Sequence, residues 1–198
     1  MKKVLSISLF FCFAWSLSFA QNKTATEFQV EINQQYASED HSPLLEKDRA
    51  NFKGLPFFNI DSAFIVVAKL ERLNQKKPFK MKTTTERKPL YTVYAIATFS
   101  VNGKEHKLNI YRSYGEQKPE YKNYLFLPFT DETSGNDSYG GGRFIDLIIP
   151  EGDEIIIDFN QAYNPYCAYN HKYSCPIPPK ENHLETRIEA GVKYVAKD

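Results

Sequence analysis

YTVYAIATFSVNGKEHKLNIY, Tyr91 to Tyr111, reads as a β-hairpin and decides the fold. Two alternating apolar and polar segments flank Asn102-Gly103. A two-residue Asn-Gly connection takes positive φ at both positions and fixes the register of its strands. Val101 then faces Lys104, Phe99 faces His106, Ala97 faces Leu108 and Ala95 faces Ile110. Val93, Ala95, Ala97, Phe99, Leu108 and Ile110 share the core face. Tyr94 meets Tyr111 on the other face as an aromatic cross-strand pair. The two alanines leave room for a bulky neighbour or a cavity. His106 reads as a strand-end side chain near solvent.

Working outward, Phe64 to Leu73 is rich in Ile, Val and Phe and predicts a strand. Pro78 to Thr85 is a weaker edge strand, given its lysines and threonines. Tyr124 to Phe129 is another, closed by Pro128. Ile145, Leu147 and Ile149 alternate in one segment, and Ile155, Ile157 and Phe159 in the next. All six belong on one buried face, since a one-residue slip exposes half of them. A tight turn at Glu151-Gly152-Asp153 predicts a second hairpin, with Ile149 opposite Ile155 and Asp146 directly opposite Asp158. Leu184, Thr186, Ile188 and Ala190 alternate as a last strand, or belong to a short helix ending at Gly191. Upstream, Phe28, Ile32 and Tyr36 form one stripe of a short helix. Ser42 as cap, Pro43 and the stop at Gly54 predict a second one, docked by Leu44, Leu45 and Phe52. The fold class is mainly β (α+β). It is an antiparallel β-sandwich or partly closed barrel, with two short N-terminal helices and a long ordered C-terminal loop.

Met1-Lys2-Lys3, the apolar run Val4 to Phe19 and Ser18-Phe19-Ala20 have the three parts of a secretory signal peptide cut after Ala20. The run is short for a membrane anchor. Residues 21–40 form a helical lead-in and 41–198 a single β-rich domain. Export to the periplasm or beyond is the expected location. Cleavage removes Lys2 and Lys3, so 25 basic residues become 23 against 24 acidic ones. That balance gives no support for nucleic-acid partners or for anionic membrane. Cys12 and Trp15 leave too, so Cys167 and Cys175 are the remaining thiols.

Both lie in DFNQAYNPYCAYNHKYSCPIPPKEN, Asp158 to Asn182, which has neither helical nor alternating period. A structureless stretch of roughly 25 residues inside a domain is usually functional or disordered, and its aromatic content argues for order. In an exported chain Cys167 and Cys175 are disulfide candidates, a bridge worth about 2.5 kcal/mol by chain entropy. The alternative adds His171 and His183 as a zinc site, but Cys-x3-His-x3-Cys-x7-His is not a usual zinc spacing. No cofactor motif and no metal set stands out. Gly140-Gly141-Gly142-Arg143 is either an anion nest with Arg143 as its fork or a turn where chains cross closely. It lacks the Lys-Ser/Thr of a nucleotide loop. Asp146 opposite Asp158 needs a cation, a flanking Arg or a shared proton, or else both point to solvent. Asn160, Asn164 and Asn182, with Asp131, are either ligand contacts or ties for loop backbone.

These segments resemble a known family. Arg49-x-x-Phe52-x-Gly54-Leu55, Asp131-x-Thr133-Ser134-Gly135, Tyr139-Gly-Gly-Gly-Arg143, Asp158-Phe-Asn160-x-Ala162-Tyr-Asn-Pro165-x-Cys167-Ala-Tyr169 and Cys175-Pro-x-Pro-Pro179-x-Glu181-Asn182 carry the resemblance. It is to a bacterial and archaeal family known as a domain of unknown function, and runs from about Ser42 to Gly191. Asp137-Ser138 and Val192 depart from the pattern, where the family commonly has Glu-Thr and Glu. The resemblance implies a shared fold and a shared polar site without naming a reaction.

The leading expectation is an exported module that binds a small polar ligand, or a structural module. Its site would lie between the 131–143 and 158–182 loops. Candidate contacts are Asp131, Arg143, Asp146, Asp158, Asn160, Tyr163, Asn164, Tyr169, Glu181 and Asn182. The rival is a hydrolase-like enzyme using Asp146 and Asp158 as acid and base or through a divalent cation.

Overall fold

The computed structural model describes residues 23–73 and 77–194; the expected leader at 1–20 lies outside them. Helix α1 (Ala25–Ala37) is followed by a four-residue helix α2 (Glu46–Arg49) and the strands β1 (Ile65–Arg72), β2 (Phe79–Lys80), β3 (Leu90–Val101), β4 (Lys104–Ser113), β5 (Tyr124–Asp131), β6 (Arg143–Ile148), β7 (Glu154–Asp158) and β8 (His183–Leu184). Thr24 caps α1 in a reciprocal box with Glu27, satisfying two backbone N–H groups at the helix start. Ser42 does not cap α2; it donates to Tyr36 O and receives the Leu44 amide, tying the turn after α1.

The central hairpin forms in the expected register, from Val101 opposite Lys104 to Ala95 opposite Ile110. Asn102 and Gly103 have φ of 52° and 73°. The register shifts between Val93 and Ala95, so Val93 and not Tyr94 faces Tyr111. This bulge turns Tyr94 inward beside Ala95 and sends Val93 to the opposite face. The expected Tyr94–Tyr111 pair is thereby broken, because one extra residue inverts every side chain before it.

One sheet holds the strands in the order β6-β5-β4-β3-β1-β7, with β2 added on β3 and β8 parallel to β5. β6 pairs with β5, and β7 with β1. The second hairpin therefore does not exist: consecutive strands form the two ends of the sheet. Asp146 faces Phe126 and Asp158 faces Ile65, so the expected carboxylate pair is not formed. Six strands laid flat span about 24 Å. The link 149–153 reaches about 20 Å at full extension. The sheet must curl to close that gap, and it forms a partly closed barrel whose ends touch.

The curl encloses the main core. Ile145, Leu147, Ile155, Ile157 and Phe159 are all buried in it and Ile149 packs against it. The alternation read their face correctly and their partners wrongly. Phe159 shares this core with Ala95 and Ala97, its ring 5.7 Å from Phe99 and 5.3 Å from Phe129. Ile188 and Ala190 close the core from a segment without strand pairing; of the expected last strand Leu184 alone is paired, in β8. The outer face carries a second cluster built on Met81, Tyr111, Phe126 and Phe144, covered by Cys167 and Cys175 of the long loop. α1 lies over that loop, with Ile32 and Tyr36 against Tyr163, Tyr166 and Tyr169.

His106 is buried against Phe99, with ring centres 6.0 Å apart, and its Nε2 has no partner. The solvent-facing expectation fails because the register puts it on the core face. Burial, then Lys104, holds its pKa below the ordinary value, against a smaller pull from Glu185. A lowered histidine pKa favours the neutral folded form. Stability should therefore fall as pH drops through about 6.5, where the unfolded chain takes up the proton. Urea melts at pH 7.5 and 5.5 should show a smaller loss in His106→Phe than in the parent. An equal loss in both would place the dependence elsewhere.

Candidate functional site

Most of the polar residues singled out in the sequence are consumed by the fold. Asp131 and Arg143 form an ion pair at 3.1 Å with both side chains fully inaccessible. Arg143 also donates to Ile188 O at 2.8 Å, to Thr133 Oγ1 at 3.3 Å and to Ala190 O. Asp131 accepts from the amides of Thr133 and Ile188 at 3.1 and 2.8 Å. Arg143 thus points into the protein, and the Gly140-Gly141-Gly142 segment does not present it to an anion. Gly142 has φ +85° and its amide is bonded to Tyr139 O. A Cβ there would come within 2.5 Å of Phe129 O. The segment is a close crossing of chains.

The long loop is held by side chains acting as substitute peptide groups. Asn160 accepts from Asp61 N at 3.0 Å and donates to Asp61 O at 2.9 Å. Asp158 accepts from the Asn160 amide and from Gln161, closing its own 3-10 turn. Asn164 donates to Lys193 O and to the Tyr169 hydroxyl. Asn182 joins Asn109 to Pro128 O. Glu181 stands exposed beside it. A loop without sheet partners must bond its buried amides somewhere, and these asparagines do it.

Cys167 and Cys175 are both buried free thiols, so the expected disulfide is not present. The Cys167 amide donates to Cys175 Sγ at 3.2 Å. A hydrogen bond with Cys175, helped by Tyr139 and Thr84, pulls the Cys167 thiol down to about 7, while that same bond and burial push Cys175 up. Among the described residues no three His, Cys, Asp or Glu side chains converge to hold a metal ion.

Two of the singled-out residues meet in a real cavity. A cleft of about 700 Å³ opens between α1 and the outer face of the sheet. Asp146 lies in its floor, next to Phe126 and Phe144, and Tyr163 stands in its wall. The hydroxyls of Tyr124 and Tyr163 both donate to Asp146 Oδ1, each at 2.7 Å. The two tyrosines come from different places, β5 and the long loop. The loop is brought there by a two-way backbone bridge between Phe144 and Tyr163. Burial first, then the neighbouring carboxylate, pushes both phenols above their usual range, so they stay protonated donors. Asp146 remains open to the cleft, yet the surrounding walls strip enough water from it to raise its pKa; Tyr163, Tyr124 and Lys23 pull the other way.

Tyr124, Tyr91, Phe126, Phe144, Tyr36 and Phe28 belong to this cleft and were not among the site candidates read from the sequence. A signal was present. Tyr124 to Phe129 is apolar on both faces, which means that something covers the outer one. The pattern does not name the cover, which lies some 40 residues downstream for Tyr163 and far upstream for α1.

Comparison with known proteins adds a family and a fold. The family model described as "Protein of unknown function (DUF1684)" matches residues 50–193. The chain belongs to that family. No curated protein matches it. It is similar to an uncharacterized protein of Haloarcula marismortui solved by solution NMR, with 33% identity and a TM-score of 0.67, over 84% of this chain and 90% of that one. The match with the family begins after α1, so the helix that roofs the cleft lies outside the matched residues.

Proposed function

We propose that this member of the DUF1684 family is a small-ligand-binding module whose ligand sits in the cleft beneath α1. The observation that carries the reading is Asp146: a carboxylate of raised pKa, fixed through one oxygen by two tyrosines, on the floor of an aromatic cleft. Its volume falls in the range of ligand pockets, as does its composition of rings with a few convergent polar groups. The fold gains nothing obvious from leaving a crowded carboxylate half satisfied, and such groups gather at functional sites. The chain's first 20 residues suggest that binding happens outside the cytoplasm.

Asp146 separates binding from stability. A carboxyl whose folded pKa is raised makes the ionised folded state less stable, so a neutral amide relieves the fold at neutral pH. Asp146→Asn should therefore melt no lower than the parent at pH 7, and any gain should fade as pH falls through the raised pKa. A thermal-shift screen over amines, sugars, amino acids and phosphates should find compounds that raise the parent's midpoint by several degrees at large excess. Gln35→Trp, which adds bulk at an exposed position of the cleft rim, should weaken them at least tenfold. No active compound, or shifts indifferent to Gln35→Trp, would remove the cleft as the site.

A further inference from the structure

We propose that the cleft selects an organic cation, a small molecule with an apolar body and one ammonium group. The inference rests on the cleft being a ligand site and names what it takes. Three observations point to it. The first is charge. Of the lining residues Lys23, Glu31 and Asp146 carry charge, and Lys23 is paired with Glu31 at the rim. Asp146 leaves the lining with one net negative charge, offset in part by the attraction of Lys23.

The second is the wall. The rings form a continuous chain around the carboxylate. Phe126 and Phe144 are 4.8 Å apart, Phe144 and Tyr163 5.9 Å, Tyr91 and Phe126 5.9 Å, and Tyr163 and Phe28 6.3 Å. Aromatic faces carry negative potential and attract ammonium groups. An anion would meet the same faces and the carboxylate as repulsion.

The third is hydrogen bonding. Tyr124 and Tyr163 direct their protons to Oδ1 of Asp146. They fix the carboxylate in place and leave Oδ2 as an acceptor, while their own protons are already used. The floor therefore offers an acceptor to an incoming group, and an N–H donor or a positive charge answers it. The gap across the cleft accommodates a molecule of roughly drug size.

The test uses matched pairs in which only the charge differs, read by titration calorimetry on the full chain. One pair is 2-phenylethylammonium and 2-phenylethanol; the other is choline and 3,3-dimethylbutan-1-ol. In at least one pair the cation should bind roughly tenfold or more tightly than its neutral partner. The gap should close in Asp146→Asn. If that variant folds poorly, the pairs still decide the matter in the parent, since each neutral member is its own control. A preference for the primary amine identifies a donor to Oδ2; a preference for choline identifies a fully alkylated cation held by the rings. Neutral members binding as tightly as the cations would overturn the inference and leave the cleft standing as a site. So would cations that fail to bind at millimolar concentration while a neutral or anionic compound from the screen succeeds. A screen with no active compound removes the underlying reading instead.

Discussion

Arg143→Met should lower the stability of the protein by about 3–5 kcal/mol, the range for removing one partner of a buried ion pair. The pair itself is not the reason, because two buried charges gain little over an apolar substitute once desolvation is counted. The loss comes from what is left behind. Asp131 would stay fully buried, carrying its charge without a cation. The carbonyls of Ile188 and Ala190 would lose their donor. These belong to the segment that closes the core without strand pairing, so the guanidinium, together with the Ile188 amide bond to Asp131, fastens it to the end of β5. Phe129 and Phe58 pack on the guanidinium, 5.3 and 5.8 Å from its carbon, and would lose that contact. In urea, with a slope near 2 kcal/mol/M, the midpoint should fall by roughly 2 M. Arg143→Lys should rescue little, because one ammonium cannot reach three directions of a planar fork. Adding Asp131→Asn to Arg143→Met should restore part of the loss by removing the stranded charge. A midpoint within about 0.5 M of the parent for the single variant would mean that packing and the remaining bonds, such as that from the Ile188 amide to Asp131, hold the segment without the guanidinium.

This pair shows where sequence reading stops. Asp131 and Arg143 were both visible as unusual, and a glycine run beside an arginine suggested an anion site. Whether an arginine faces out or in depends on the chain that covers it, here residues 188–190, more than 40 positions away. The hairpin at Asn102-Gly103 was legible to the residue because its information is local: turn geometry fixes both strands at once. The bulge at Tyr94 was not, since no local residue type demands it. For β6 and β7 the alternation determined which side chains go inside, but strands from opposite ends of a curled sheet satisfy the same pattern as a hairpin. The carboxylate pair fell with that assumption. Asp146 survived as a site candidate for another reason, the two tyrosines that reach it from β5 and from the long loop.

Asn182→Ala is the sharper test of how the long loop and the sheet are joined, and it should also cost about 3–5 kcal/mol. β4 and β5 pair at Tyr111 and Phe126. Extending that register places Asn109 opposite Pro128. Proline has no N–H, so the ladder cannot continue: the Asn109 carbonyl would find no donor. The Asn182 amide is inserted at this point. Its Oδ1 receives the Asn109 N–H at 3.0 Å, and its Nδ2 donates to Asn109 O at 2.9 Å and Pro128 O at 2.7 Å. One side chain supplies the peptide group that Pro128 withholds, which is how a proline sits in a strand with neighbours on both sides. The side chain is fully buried, so truncation strands three backbone groups, each worth about 1–3 kcal/mol when unpaired, with entering water recovering a share. Asn182→Asp should be no milder. It keeps an acceptor for the Asn109 amide but sets a carboxylate against two carbonyls. Hydrogen exchange gives the local reading: the Asn109 amide should lose its protection in Asn182→Ala, while Leu108 and Ile110, bonded into the β3–β4 hairpin, keep more of theirs. If Asn109 stays protected in Asn182→Ala, the strands must have closed directly on each other and the substitution by a side chain is dispensable. If it opens, the Cys-Pro-x-Pro-Pro-x-Glu-Asn segment serves to complete the sheet, and the proposed recognition role stays with the tyrosines and Asp146 of the cleft.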